Sequence, residues 1–264
     1  MAQNARPDGI VFLGTGGARI VVARQLRSSG GIWLSLAGTE LLLDPGPGSL
    51  VKMTGSRFHL DPSRLSGVLL SHRHLDHSGD VNNIIEAITF GGTRPHGMLF
   101  APDDALEGED PVVFRYLRGF LDKVVRLEEG GEYRVGNVVF TCPVRHRHRG
   151  EVYGFRFAVP GLSVSYVADT AFFAELADFY RADVAIINVV RHQASELDHL
   201  HSFEAEELIG RMRPRLAVLT HFGMTMLKAK PWLVAREISN RTGIKVIAAS
   251  DGRRILLEEY RDAS

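Results

Sequence analysis

Only one cysteine, Cys142, occurs in the chain, so no disulfide can form within it, a composition that suits a reducing compartment. No stretch approaches the ~18 apolar residues of a membrane-spanning helix, and the polar segment from Met1 to Gly9 has no apolar signal-type core. The chain is therefore expected in the cytoplasm, with no membrane partner. Charge of one sign is also missing: 31 Lys and Arg balance 31 Asp and Glu. No overall field draws such a protein to nucleic acid or to an anionic membrane. Heptads, low-complexity tracts and close repeats are absent. The Gly14-Thr15-Gly16-Gly17 stretch lacks both the Gly-Lys-Ser/Thr ending of a P-loop and the third Gly of a dinucleotide fingerprint. It reads instead as a tight turn.

What the chain does have is a dense local cluster. Residues 71 to 77 read Ser-His-Arg-His-Leu-Asp-His, which places His72, His74, Asp76 and His77 within six residues. Each of these is costly to bury alone, and a divalent cation satisfies them together. Leu65 to Leu70 reads as a buried strand and Ser78-Gly79-Asp80 as a turn into a helix, so the cluster sits on a strand-to-helix loop. The spacing suits two ions. His72 and His74 can converge on one, while Asp76 and His77 face a second; ions roughly 3.5–4 Å apart can hold one hydroxide and clamp an oxyanion.

Partners for such a centre stand at other strand ends. Asp44 closes Glu40–Leu43 and enters Pro45-Gly46-Pro47-Gly48. His148 follows the strand-like stretch 137–141, Asp169 closes Ser163–Ala168, and His221 closes Leu216–Thr220. Further strands are expected at 10–14, 32–36, 98–101, 154–159, 184–188 and 245–249. A helix after His77 carries Val81, Ile84, Ile85 and Ile88 as one apolar stripe. A second helix runs from Phe203 to Met212 with Ser202 as N-cap, and a third opens at Pro231 and stops before Gly243. Strands alternating with helices imply sheet layers covered by helices. The 264 residues are expected to form a single domain, 1–264.

This pattern resembles the metallo-β-lactamase fold superfamily of metal-dependent hydrolases, and the likeness covers nearly the whole chain, from Phe12-Leu13-Gly14-Thr15 to Ser250-Asp251-Gly252. The resemblance implies an α/β fold, the four-layer αβ/βα sandwich, with metals at one edge between the sheets. It implies two divalent transition-metal ions, zinc before manganese or iron. His72, His74 and His148 would bind one ion, Asp76, His77 and His221 the other, with Asp169 bridging and Asp44 orienting the ligand loop. The implied activity is hydrolysis by a metal-bridging hydroxide.

The nearest branch by resemblance is that of ribonuclease Z and the small phosphodiesterases. There the later ligand His shortly precedes a Gly-aromatic-Arg strand, and Gly154-Phe155-Arg156 favours His148 over His146, which then reads as a solvated loop residue. Only 20 residues separate His148 from Asp169, too few for a tRNA-gripping arm. A small anionic substrate is therefore expected rather than nucleic acid. Members of this branch carry a proton-donating His about 20 residues before the last metal His. His199 and His201 lie 22 and 20 before His221, with His199 preferred. The catalytic candidates are thus Asp76, within the ligand cluster, and His199 or His201. Thioester or lactone hydrolysis on the same cluster is the alternative, and a non-catalytic scaffold is disfavoured because every ligand position is filled. Arg145, Arg147 and Arg149 form the one basic run near the site; it can meet an anionic substrate or be a solvated loop.

Overall fold

A computed structural model describes residues 6–261. Its strands, in chain order, are β1 (Gly9–Phe12), β2 (Ile32–Leu36), β3 (Thr39–Leu43), β4 (Leu65–Leu69), β5 (Met98–Ala101), β6 (Lys123–Arg126), β7 (Gly131–Val135), β8 (Val138–Cys142), β9 (Phe155–Val159), β10 (Leu162–Val167), β11 (Val184–Asn188), β12 (Leu216–Thr220), β13 (Val246–Ala248) and β14 (Arg253–Leu256). They form two seven-stranded sheets, ordered β14-β1-β2-β3-β4-β5-β6 and β13-β12-β11-β10-β9-β8-β7. Each sheet is antiparallel along one half and parallel along the other: β3 to β6 run parallel, as do β10 to β13.

Strand alternation explains the layering. Leu41 and Leu43 of β3 point into the space between the sheets, where they meet Phe140, Phe155, Phe157 and Tyr166. Leu42, between them in sequence, points the other way into a cluster with Val81, Ile84, Ile85 and Ile88 of the helix Val81–Thr89. On the far side Ala185, Ile187, Ala217 and Leu219 pack against Leu208, Ile209 and Met212 of the helix Ser202–Met212 and Val234 and Ile238 of the helix Pro231–Thr242. Both faces of each sheet are thus covered, which gives the four-layer αβ/βα sandwich.

The central strands fall within two residues of their expected bounds. Three strands have no counterpart in the sequence reading: β6, β7 and β14. Each ends a sheet, and each is polar and partly exposed, as edge strands commonly are. The second helix also needs a correction. Its N-cap is His201, not Ser202: the His201 ring accepts from the Glu204 N–H while the Glu204 carboxylate accepts from the His201 N–H. Ser202 Oγ instead hydrogen-bonds to the His192 carbonyl at 2.7 Å.

Phe140 lies fully buried between the sheets with Phe100, Tyr133, Phe155 and Phe157 around it at ring separations of 5.0 to 5.8 Å. Phe140→Ala is expected to cost about 3–5 kcal/mol by leaving a cavity that rings on both sheets cannot collapse into. Urea unfolding checks this; a loss below about 1 kcal/mol, the range of mild core swaps, would mean that the sheets do not depend on this cluster.

Candidate metal centre

Most charged or imidazole groups of the site stand at the C-terminal ends of parallel strands, where open α/β sheets present ligands, while His148 and His199 come from the longer loops after β8 and β11. Asp44 follows β3, and Ser71 to His77 follow β4. Asp169 follows β10, Asn188 ends β11, and His221 follows β12. The two sheets therefore bring residues from 44 to 221 to one edge of the sandwich.

Asp44 organises the loop after β4 from a left-handed backbone position, φ 44°. Its Oδ1 accepts from the Ser71 N–H at 2.6 Å. Its Oδ2 accepts from the Ser71 hydroxyl at 2.6 Å, the Tyr166 hydroxyl at 2.7 Å and the His77 ring at 2.9 Å. His77 therefore keeps a proton on Nδ1 and presents Nε2 inward as the atom free to ligate. The same logic holds for His72. The Ser71 hydroxyl gives its proton to Asp44, so it accepts from His72 Nδ1 at 3.0 Å, leaving Nε2 bare. His148 Nδ1 faces the Asp198 carbonyl at 2.8 Å, which again leaves Nε2 as the inward lone pair. Outer partners that fix imidazole tautomers in this way are what a metal centre uses to aim its ligands.

The inward atoms converge in two sets. His72 Nε2 is 3.0 Å from His74 Nδ1, which is 3.3 Å from His148 Nε2. His77 Nε2 is 3.2 Å from His221 Nε2, and His221 Nε2 is 3.4 Å from Asp76 Oδ2. Asp169 Oδ2 lies 3.5 Å from both His77 and His221, while Asn188 donates to its other oxygen at 2.9 Å. Groupings of donor atoms within 4.8 Å of one another are His72/His74/His148, Asp76/His77/His221, His72/His77/Asp169 and His148/Asp169/His199. Asp169 thus falls together with members of both sets.

The chemistry of these donors fits divalent cations. On the three-His side, the bare lone pairs of His72 and His148 both face His74 Nδ1, so a single proton on that nitrogen satisfies at most one of them, whereas a cation satisfies all three. Burial pushes the His72, His74 and His148 imidazoles toward the neutral form that ligation requires. The other side attracts positive charge. Burial lowers the basicity of His77 and His221, but the carboxylates outweigh it: Asp44, Asp76 and Asp169 raise His77, and Asp169 leads in raising His221 to about 9. Burial likewise disfavours charge on Asp76 and Asp169, yet the facing imidazoles hold both below the usual carboxylate range. Cys142 is buried in the inter-sheet core and its thiol is pushed up, so it is a core side chain and no ligand.

All seven residues expected as ligands meet at this edge. His146 does not lie in a solvated loop, contrary to the expectation. It is buried, and its ring bonds to the Tyr180 hydroxyl and the Asp169 main-chain oxygen, because Tyr180, 34 residues on, packs onto it. His199 reaches the site, with Nε2 3.4 Å from Asp169 Oδ2 and its ring 4.8 Å from that of His148. The His201 ring is spent on Glu204 and Phe203 at the start of its helix. In the basic run, Arg145 donates to the Gly150 carbonyl, Arg147 lies over the Phe173 ring at 4.5 Å, and Arg149 is exposed. The turn at Gly14–Gly17 has a steric reason, since a Cβ on Gly17 would stand 2.4 Å from the His221 ring. Sequence reasoning missed Asn188, Tyr166 and Ser71. Position after an apolar strand was the available signal for Asn188, but no charge marks it.

Comparison with known proteins agrees with this geometry. A family model described as "Beta-lactamase superfamily domain" matches residues 39–222. An uncharacterised protein of Methanocaldococcus jannaschii is 32% identical over 257 residues, 94% of this chain and 94% of its own. A ribonuclease Z of Kineococcus radiotolerans is 26% identical, covering 90% of this chain and 92% of its own. Among solved structures, the metallo-β-lactamase fold protein YhfI from Bacillus subtilis superposes with TM-score 0.78 at 19% identity, over 95% of this chain and 99% of that one. Among the described residues no helix is long and apolar enough to cross a membrane. The chain belongs to the β-lactamase superfamily of metal-dependent hydrolases.

Proposed function

We propose that this protein is a dinuclear metal-dependent phosphodiesterase acting on a small anionic substrate in the cytoplasm. His72, His74 and His148 would hold one ion, Asp76, His77 and His221 the other, with Asp169 between them; zinc suits this donor set, and manganese or iron also bind imidazole and carboxylate. When bound, the ions would supply a hydroxide nucleophile at neutral pH and offset charge gathering on the substrate oxygens. The chain's own residues do the rest. Asp44 and Ser71 keep the Nδ1 protons of His77 and His72, so that both Nε2 atoms stay turned inward. Asn188 occupies the outer oxygen of Asp169 and leaves the inner one for the centre.

The observation that carries the reading is His199. Its Nε2 faces an acceptor-only carboxylate oxygen of Asp169 at 3.4 Å, so it is the N–H side of the ring that lies at the rim of the centre, outside both three-residue sets. Its Nδ1 is buried without a partner among the described residues. An imidazole so placed can protonate a leaving alkoxide, the demanding step in cleaving an unactivated phosphodiester. A thiolate leaving group needs no such help. Arg149, exposed and adjacent to His148, supplies positive charge for an anionic substrate. The match to a ribonuclease Z supports the same class, and β9 and β10 fill the short span between His148 and Asp169 without an arm.

The test is a panel with metal supplied: bis-p-nitrophenyl phosphate, a cyclic nucleotide, a lactone, a thioester and a β-lactam. Turnover is expected on the phosphodiesters. Efficient turnover of the thioester or lactone with none on phosphodiesters would move the protein to carboxyl-ester chemistry on the same fold.

A further inference from the structure

His146 is the one histidine of the Arg145–Arg149 run that faces away from the candidate ligands, yet it is only 3% exposed. Both ring nitrogens are used. Nδ1 lies 3.2 Å from the Asp169 main-chain oxygen, which can only accept, so Nδ1 carries the proton. Nε2 then accepts from the Tyr180 hydroxyl at 2.8 Å. The Tyr180 oxygen in turn accepts from the Gly154 N–H at 3.2 Å. Any Cβ at Gly154 would stand 2.6 Å from that oxygen, which gives a physical reason for glycine at the head of β9. His146 is itself anchored, its N–H donating to the Val152 carbonyl at 2.8 Å.

Two more bonds run alongside. The Arg147 N–H donates to Thr170 Oγ1 at 3.1 Å, and the Ala171 N–H donates to the Arg147 carbonyl at 2.8 Å. The segment that presents His148 is thereby laced to the segment that presents Asp169. Asp169 is gripped at its main-chain oxygen by His146 and at Oδ1 by Asn188, and Oδ2 remains for the centre.

We propose that His146, backed by Tyr180, is a positioning residue that sets the spacing between the three-His set and the shared carboxylate of Asp169; this rests on the metal reading above. Its contribution is geometric. A buried carbonyl needs a donor, and here the donor belongs to the strand end that also delivers a ligand. Loss of that donor frees Asp169 to turn toward other hydrogen-bond partners and loosens the shared ligand of both ions.

The substitutions separate positioning from packing. His146→Asn keeps an amide N–H where Nδ1 stands, whereas His146→Leu fills the volume with no donor. Tyr180→Phe retains the ring and removes only the hydroxyl, and it serves as the second variant if the leucine protein does not fold. Zn²⁺ affinity is read by chelator competition on folded protein, ligand geometry by the visible bands after Co²⁺ loading, and metal-free stability by thermal unfolding. His146→Leu is expected to weaken Zn²⁺ binding about 10–100-fold, the usual effect of losing an outer partner, and to alter the Co²⁺ bands. His146→Asn is expected to restore both, and Tyr180→Phe to give a smaller loss. If all three variants lose thermal stability while affinity and bands stay those of the parent, His146 only packs, and the proposal falls. If the parent protein takes up no Zn²⁺, the metal reading itself falls and takes this proposal with it.

Discussion

Asp169→Ala is expected to bring hydrolysis down to background and to lower metal occupancy while the fold survives. Asp169 Oδ2 stands 3.4 to 3.5 Å from His77, His199 and His221, so its removal takes away the one carboxylate shared by both halves of the centre. The remaining donors divide into a neutral three-His set and a His-His-Asp set with less negative charge to hold a dication. The fold is expected to survive because the change removes a buried carboxylate at the sheet edge and no apolar core side chain. The structural cost includes one of the two acceptors of the Asn188 amide, which keeps the Tyr166 hydroxyl at 3.2 Å, a loss of about 1–3 kcal/mol, together with the carboxylate that faces the His77, His199 and His221 rings. Initial rates, elemental analysis and circular dichroism on the same preparation test this together. Full activity in a folded variant would remove Asp169 from the site.

His199→Ala is expected to lower turnover on an unactivated phosphodiester by roughly 10²–10⁴-fold, the range of general acid–base catalysis, with metal content unchanged. The imidazole lies at the rim, beside Asp169 and His148, and the two three-residue sets are complete without it. The effect should shrink on bis-p-nitrophenyl phosphate, because p-nitrophenolate departs without a proton. Equal losses on both substrates together with lost metal would make His199 a ligand instead, an assignment its grouping with His148 and Asp169 also allows. His201→Ala is expected to act on stability rather than on rate, since its ring caps the helix Ser202–Met212; a lost N-cap typically costs about 0.5–2 kcal/mol.

The contrast between these two histidines shows where the sequence stops being legible. Spacing from His221 places both within reach, and nothing local separates them. The difference arises because the helix begins at Ser202, which turns His201 onto Glu204 and leaves His199 on the preceding loop. The 72–77 cluster needed no such information, because its residues are neighbours in the chain and their strand and helix flanks are strongly apolar. Asp169 and His221 were legible for a related reason, each ending a buried strand. His146 was not, since it looks like one polar residue in a basic loop until Tyr180 folds over it from 34 residues away. Asn188 carries no charge to mark it. Among the strands, β6, β7 and β14 were hidden by their edge positions, where polar residues replace the apolar alternation that betrays a central strand.

The most direct measurement is metal stoichiometry and position on protein never exposed to chelator, by elemental analysis with anomalous scattering. Two transition-metal ions per chain are expected, one on His72, His74 and His148 and one on Asp76, His77 and His221, with Asp169 touching both. A reproducible single ion, or ions ligated elsewhere, would contradict the account.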